Sequence, residues 1–208
     1  MKLLFTGANG FLGKNIIPLL EAKGFEVEKL DLRFAKYTFN IASDVPIFDE
    51  AFDIVFHAAG KAHMIPKTKE EIATFYNVNF EGTKNLCKSL EKNLPKHFIF
   101  VSTVAVYGKN FGQNISESTP LLGNTPYADS KKKAENFLIG WCSSNKVKLT
   151  ILRPSLIAGS NPPGNLGDMI NAIKKGLYFN IGGGKAKKSV VWVEDFADII
   201  KLSINKLG

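Results

Sequence analysis

A chain of 208 residues, 45% of them hydrophobic, can bury one full core and is long enough for one domain plus an appendage rather than two complete domains. Its net charge of +8 comes almost wholly from lysine, since Arg33 and Arg153 are the only arginines; outside Lys131–Lys133 and Lys185–Lys188 the lysines are scattered, which ranks a solvated surface first, a phosphorylated small molecule second and nucleic acid a distant third. No stretch approaches the roughly 20 apolar residues that span a bilayer, and the apolar opening Leu3–Phe5 breaks at Thr6-Gly7, too early for an export signal. Cys87 and Cys142 lack metal-ligand spacing, as do His63 and His97, so no metal is expected; buried, idle thiols in a reducing cytoplasm are.

In chain order, Leu3–Phe5 predicts a strand that meets a glycine-rich turn, and Phe11, Ile16, Ile17, Leu19 and Leu20 recur at helical spacing up to Gly24. Pro18 falls inside that helix and should kink it. Phe25–Leu30 alternates toward a second strand ending at Asp31, and Tyr37–Phe39 predicts a short third. Asp53–Ala58, Phe98–Val101 and Leu149–Leu152 are continuous apolar runs suited to strands buried on both faces. Helical patterns lie between them, over about 70–91 and 128–142. Such alternation predicts an α/β fold, a Rossmann-like doubly wound parallel sheet. After Arg153-Pro154 the texture changes to Gly-, Asn- and Pro-rich segments at 159–167 and 182–184, and a helix over about 194–204 closes the chain. The expected division is a dinucleotide-binding domain over 1–153 and a partial substrate-binding portion over 154–208.

The turn Gly7-Ala8-Asn9-Gly10-Phe11-Leu12-Gly13 spaces its glycines G-x-x-G-x-x-G between the first strand and first helix. Glycine there permits tight turning, close approach of backbone to a pyrophosphate, and packing of helix on strand, while the helix N-terminus offers free amides. Asp31, 18 positions after Gly13, is placed to accept hydrogen bonds from an adenosine ribose. Its charge would repel a 2′-phosphate and so favours NAD, whereas Arg33 two residues later leaves NADP open. Tyr127 and Lys131, four apart on a predicted helix, share a face; beside Lys132 and Lys133 that pair alone competes with a plain solvated charge run.

The whole chain resembles the extended short-chain dehydrogenase/reductase superfamily, the NAD-dependent epimerase/dehydratase family, and in particular bacterial nucleotide-sugar 4-epimerases and 4-reductases of surface-polysaccharide pathways. The resemblance is carried, in family order, by TGANGFLG (6–13), HAAG (57–60), NFEGT (79–83), VSTVAVYG (101–108), YADSK (127–131), LRPS around Arg153 and WVEDFAD from Trp192. It implies Thr103, Tyr127 and Lys131 as the catalytic set, with Tyr127 the base, Lys131 supporting its phenolate and holding a ribose hydroxyl, and Thr103 bonding the same substrate oxygen. It further implies that Arg33, Asn40, Ile41, His57, Ala58, Ala59, Gly60, Asn79 and Pro154 complete the cofactor site, and that Asn165 and Lys188 join Thr103 at a nucleotide-sugar. Val104-Ala105 replace the Asp-Glu pair of the related 4,6-dehydratases, and neither side chain can carry a proton. Members usually run longer, so a small, apparently truncated substrate portion is expected. Two-fold dimers packed through the helical segments 70–91 and 128–142 are common among them.

Overall fold

The computed structural model describes residues 1–62, 64–109, 111–179, 185 and 187–205; His63 and the 182–184 soft spot lie outside them. The apolar runs become strands β1 (Lys2–Thr6), β2 (Glu26–Asp31), β3 (Tyr37–Thr38), β4 (Ile54–His57), β5 (His97–Val101) and β6 (Lys148–Leu152). They form one sheet in the order β3-β2-β1-β4-β5-β6, parallel throughout, with Leu3 opposite both Val27 and Ile54. This is the doubly wound order, whose crevice opens beyond the carboxyl ends of β1 and β4, where the winding reverses.

Pleating sends the two faces of β1 into different layers. Leu3 and Phe5 meet Ile16 and Leu20 of helix α1 (Phe11–Ala22), while Leu4 joins a cluster with Leu86 of α3 (Gly82–Leu90) and Leu138 of α4 (Pro126–Asn145). Each fully buried phenylalanine, such as Phe5, Phe56, Phe98 and Phe100, contributes about 1.5–3 kcal/mol. An exposed pair such as Lys96–Asp53, whose lysine is 85% exposed, contributes at most about 1 kcal/mol. Apolar burial therefore outweighs exposed ion pairs in holding the sheet together.

Two stretches depart from expectation. The helix forecast over about 70–91 is three pieces: α2 (Lys69–Tyr76), a π-helical turn (Asn77–Glu81) and α3. Pro18 lies inside α1 on its exposed side, where water can bond the carbonyl that loses its partner. After β6 come β7 (Leu156–Ala158), the helix α5 (Gly164–Lys174) and β8 (Val190–Trp192), of which the sequence suggested none; β7 and β8 pair in parallel as a separate two-stranded sheet. The closing helix α6 (Asp195–Asn205) buries Phe196, Ala197 and Ile200 in the core shared by β1 and α1. No helix among the described residues is long and apolar enough to cross a membrane.

Candidate active site

The site begins at the β1–α1 turn. Gly7 has φ +73, and a Cβ on it would lie 2.9 Å from the Ala59 backbone; a Cβ on Gly13 would lie 2.1 Å from the Ala8 carbonyl oxygen. Only glycine lets turn, helix and the segment after β4 approach so closely. Gly10 caps α1 without a side-chain hydrogen bond, and the first turn holds no acidic residue. Phe11, Leu12 and Gly13 thus open a helix whose positive end suits phosphate. At the end of β2, the Asp31 carboxylate accepts from the Asn9 amide (2.8 Å) and the Leu32 amide (2.7 Å), fixing it beside the turn, and the Asn9 side chain donates to the Arg33 carbonyl. Arg33 itself is exposed.

His57 ends β4, and its ring is wholly buried. The Thr83 hydroxyl donates to the Asn79 carbonyl (2.7 Å), so it accepts from His57 Nε2 (3.0 Å), which leaves Nδ1 to accept from Thr6 (2.7 Å); Thr6 in turn accepts the Ala59 amide (3.1 Å). Burial, helped by the Lys131 charge, holds the imidazole down to about 3, neutral as that chain requires. His57 therefore shapes the 58–60 backbone from behind. Ala58 and Gly60 face the cleft, and Ala59 packs against Gly7.

Asn79 lies in the π-helical turn, a feature frequent at functional sites. Its Oδ1 accepts from the Lys61 amide (2.7 Å), and its Nδ2 donates to the Lys61 carbonyl (3.1 Å) and to Ser130 Oγ (3.0 Å). It thereby ties the loop after β4 to the first turns of α4. Asn40 and Ile41 follow β3: Asn40 Oδ1 accepts from Ala42, and Ile41 is buried against Gly82.

Thr125 caps α4 and Pro126 follows, which sets the helix start one residue before Tyr127. Tyr127 packs near Phe75, with ring centroids 6.2 Å apart; burial raises its phenol, opposed by a hydrogen bond with Thr103. One turn on, Lys131 is 4% exposed. Its Nζ donates to the Val101 carbonyl at the end of β5 (2.9 Å) and stands 4.6 Å from the Phe100 ring centre. Desolvation lowers the ammonium to about 8, while Glu135 pulls it back up. The competing reading of a plain solvated charge run does not describe these three residues: Lys131 is buried, Lys132 half-buried and Lys133 exposed.

A cleft of about 500 Å³ is lined together by Gly7, Gly10, Phe11, Leu12, Gly60, Thr103, Tyr127, Lys131 and Pro154. It adjoins a larger cavity of about 1200 Å³ across Thr103, Pro154, Ser155 and Leu156; Val104 and Lys188 line the larger one. Asn165 is exposed in the first turn of α5 and lines neither. Lys61, Ala62, Ser102, Ser155, Ile157 and Pro163 also line the cleft and were not singled out from sequence. Ser102, next to Thr103 in the strand-end motif, is the one a sequence signal could have flagged. Among the described residues, the trio of carboxylates close enough to share a cation, Glu26, Glu28 and Glu50, is already paired with Lys2 and Lys36.

The strand order, the glycine turn and the clustering of Thr103, Tyr127 and Lys131 on one cleft define a Rossmann-type α/β protein of the dinucleotide-binding class. The chain matches the model of the NAD dependent epimerase/dehydratase family over residues 3–207, and it belongs to that family. It is 31% identical to an N-acetyl-alpha-D-glucosaminyl-diphospho-ditrans,octacis-undecaprenol 4-epimerase from Escherichia coli O157:H7, over 99% of this chain and 64% of the relative. It is 26% identical to a UDP-glucose 4-epimerase from Vibrio cholerae, over 98% and 66%. The chain thus spans slightly under two thirds of these relatives' length. Solved structures share the fold: MoeE5 in complex with UDP-glucose and NAD, at TM-score 0.83 and 20% identity, covering 99% of this chain and 72% of that one, and the UDP-glucose 4-epimerase of Thermus thermophilus in complex with NAD, at 0.79 and 24%, covering 100% and 75%.

Proposed function

We propose that the chain is the cofactor-binding and catalytic part of an NAD-dependent 4-epimerase of nucleotide-activated sugars. The observation that carries this reading is one cleft lined by both the glycine turn and the Thr103, Tyr127 and Lys131 set. The space that a Cβ at Gly7 or Gly13 would close, and the free first turn of α1, fit a dinucleotide pyrophosphate, with Asp31 at the adenosine ribose. Bound there, NAD supplies a hydride acceptor at its nicotinamide.

Tyr127 then accepts the proton of the sugar 4-hydroxyl on its phenol oxygen while Thr103 hydrogen-bonds the same oxygen. A phenol with an ordinary pKa near ~10 is a weak base at neutral pH, and here burial raises it further. Lys131 therefore matters most as an ammonium whose charge favours the phenolate. On this reading residues 1–153 hold the cofactor and residues 154–208 contribute to the wall of the larger cavity, where Lys188 suits a diphosphate. A two-fold dimer through α2, α3 and α4 belongs to the same proposal.

The test is to identify nucleotide released from the denatured chain, titrate NAD and NADPH by calorimetry, and assay UDP-glucose with UDP-galactose. Retained or preferred NAD with interconversion of the two sugars is the expected result. Net NADPH consumption would make it a 4-keto reductase instead, and binding of neither cofactor would sink the proposal. Tyr127→Phe should cut kcat by about 10²–10⁴-fold and leave NAD affinity nearly intact; undiminished turnover would remove Tyr127 from the mechanism.

A further inference from the structure

Glu135 is a carboxylate with 0% exposure, and its position in α4 is informative. It stands four residues after Lys131 and eight after Tyr127, on the same helical face. Its Oε1 accepts from Ser102 Oγ and from Arg153 Nε (3.1 Å), and its Oε2 accepts from Arg153 Nη2 (2.7 Å). Arg153 directs its remaining nitrogen to the Tyr107 hydroxyl (3.0 Å) and the Glu117 carbonyl (3.2 Å), with its guanidinium 5.2 Å from the Tyr107 ring centre. Arg153, Tyr107 and Glu117 all line the larger cavity.

One carboxylate therefore joins three pieces: the helix that carries Tyr127 and Lys131, the segment directly after β5 that carries Ser102 and Thr103, and the cavity wall that follows β6. Stability alone is a weak explanation. Desolvating two charges costs about as much as their attraction returns, and apolar pairs of similar volume often serve as well or better. What such a pair adds is direction, because a bidentate guanidinium-carboxylate contact tolerates one geometry.

We infer that Glu135, tied to Ser102 after β5 and to Arg153 after β6, is a positioning residue for the reacting groups, fixing the register of α4 so that Tyr127 and Lys131 meet Thr103 at the cleft. This rests on the proposed catalytic role of those three residues. The charge of Glu135 also has a direct neighbour effect. Lys131 is faced by the neutral His57 of β4, by Val101 and Phe100 of β5, and on its own helix by Glu135, the carboxylate that opposes its loss of charge.

The experiment uses the full 208-residue chain and three readouts: hydrogen exchange of the amides at 102–105 and 126–131, thermal midpoint, and kcat and KM for UDP-glucose. Glu135→Gln keeps size and one acceptor; it should speed exchange in both segments and lower kcat by about ten- to a hundredfold, with KM changed less than kcat, because Glu135 reaches the larger cavity only through Arg153. Glu135→Leu combined with Arg153→Met should keep the thermal midpoint near that of the parent while exchange in the two segments stays fast. If that double variant restores parental exchange, or if exchange rises evenly along the chain as the midpoint falls, the pair is a structural element only. Should the parent chain fail to interconvert UDP-sugars, the catalytic reading falls, and the exchange pattern still decides whether the pair positions α4.

Discussion

A methyl group at position 13 would have to sit 2.1 Å from the Ala8 oxygen and 2.5 Å from its carbonyl carbon, both backbone atoms with no rotamer to yield. Gly13→Ala must therefore push α1 off the β1 turn. We expect it to cost about 1–3 kcal/mol, read as a lower urea midpoint, and to abolish NAD binding by calorimetry; tight binding with unchanged stability would show that the turn is not the phosphate cradle. Gly13 was legible in the sequence because a turn that needs no Cβ shows as local glycine spacing, whereas Tyr127 and Lys131, one helical turn apart, stood out only through the family motifs around them. Glu135 was not legible. In KKKAENF it reads as one more solvated charge, and only the return of the chain at Arg153 supplies the guanidinium that makes burial tolerable. Likewise His57 resembles a cleft residue in HAAG, yet its two nitrogens are consumed by Thr6 and Thr83. Hydrogen bonds between residues 26 and 51 positions apart leave no mark in a periodic pattern.

The helical pattern over 70–91 hid a π-helical turn for a related reason, since one extra residue per turn scarcely disturbs the apolar period. The widened turn places Asn79 where its amide reaches both Lys61 and Ser130. α5 was illegible because it buries no residue and opens on Gly164 and Gly167, so neither an apolar face nor propensity announced it. The continuous strands β1, β4 and β5 were read to within a residue or two, as expected for segments covered on both faces. Pro18 tests how much of α1 comes from tertiary packing rather than propensity. The helix continues through it because Ile16, Ile17 and Leu20 are buried, yet the Lys14 carbonyl forfeits its helical donor. Pro18→Ala restores that donor on an exposed face and should raise stability by about 1 kcal/mol, below the roughly 3 kcal/mol of a proline in a fully regular helix interior. A urea midpoint unchanged or lowered would mean that proline's restriction of the unfolded chain outweighs the missing bond.

Across the whole molecule, the winding reversal between β1 and β4 puts the cleft at the carboxyl edge of the sheet, and two buried histidines bracket that sheet from opposite ends. His57 ends β4 beside the cleft, and His97 begins β5 at the far edge, bonded through Nε2 to Thr150 Oγ1 at 2.8 Å. Burial holds both neutral, His57 down at about 3 and His97 at about 4, with Lys131 and Lys148 adding repulsion. The ordinary value is 6.5, so between that pH and about 4 the unfolded chain takes up protons at both positions that the folded chain refuses. More protons on the unfolded state means that stability rises with pH across this window and is lost on acidification. Each histidine can contribute a slope approaching about 1.4 kcal/mol per pH unit, so the pair should give roughly 2–3 kcal/mol per unit near pH ~5. Urea midpoints taken from pH ~7 to ~4.5 should fall steeply, and His97→Gln, which keeps a donor toward Thr150, should remove about half the slope. A flat profile, or a slope indifferent to that substitution, would show that the folded protein admits a proton at these positions after all, and that acid sensitivity must be sought in paired carboxylates such as Glu50, which Lys2 and Lys36 hold down at about 2.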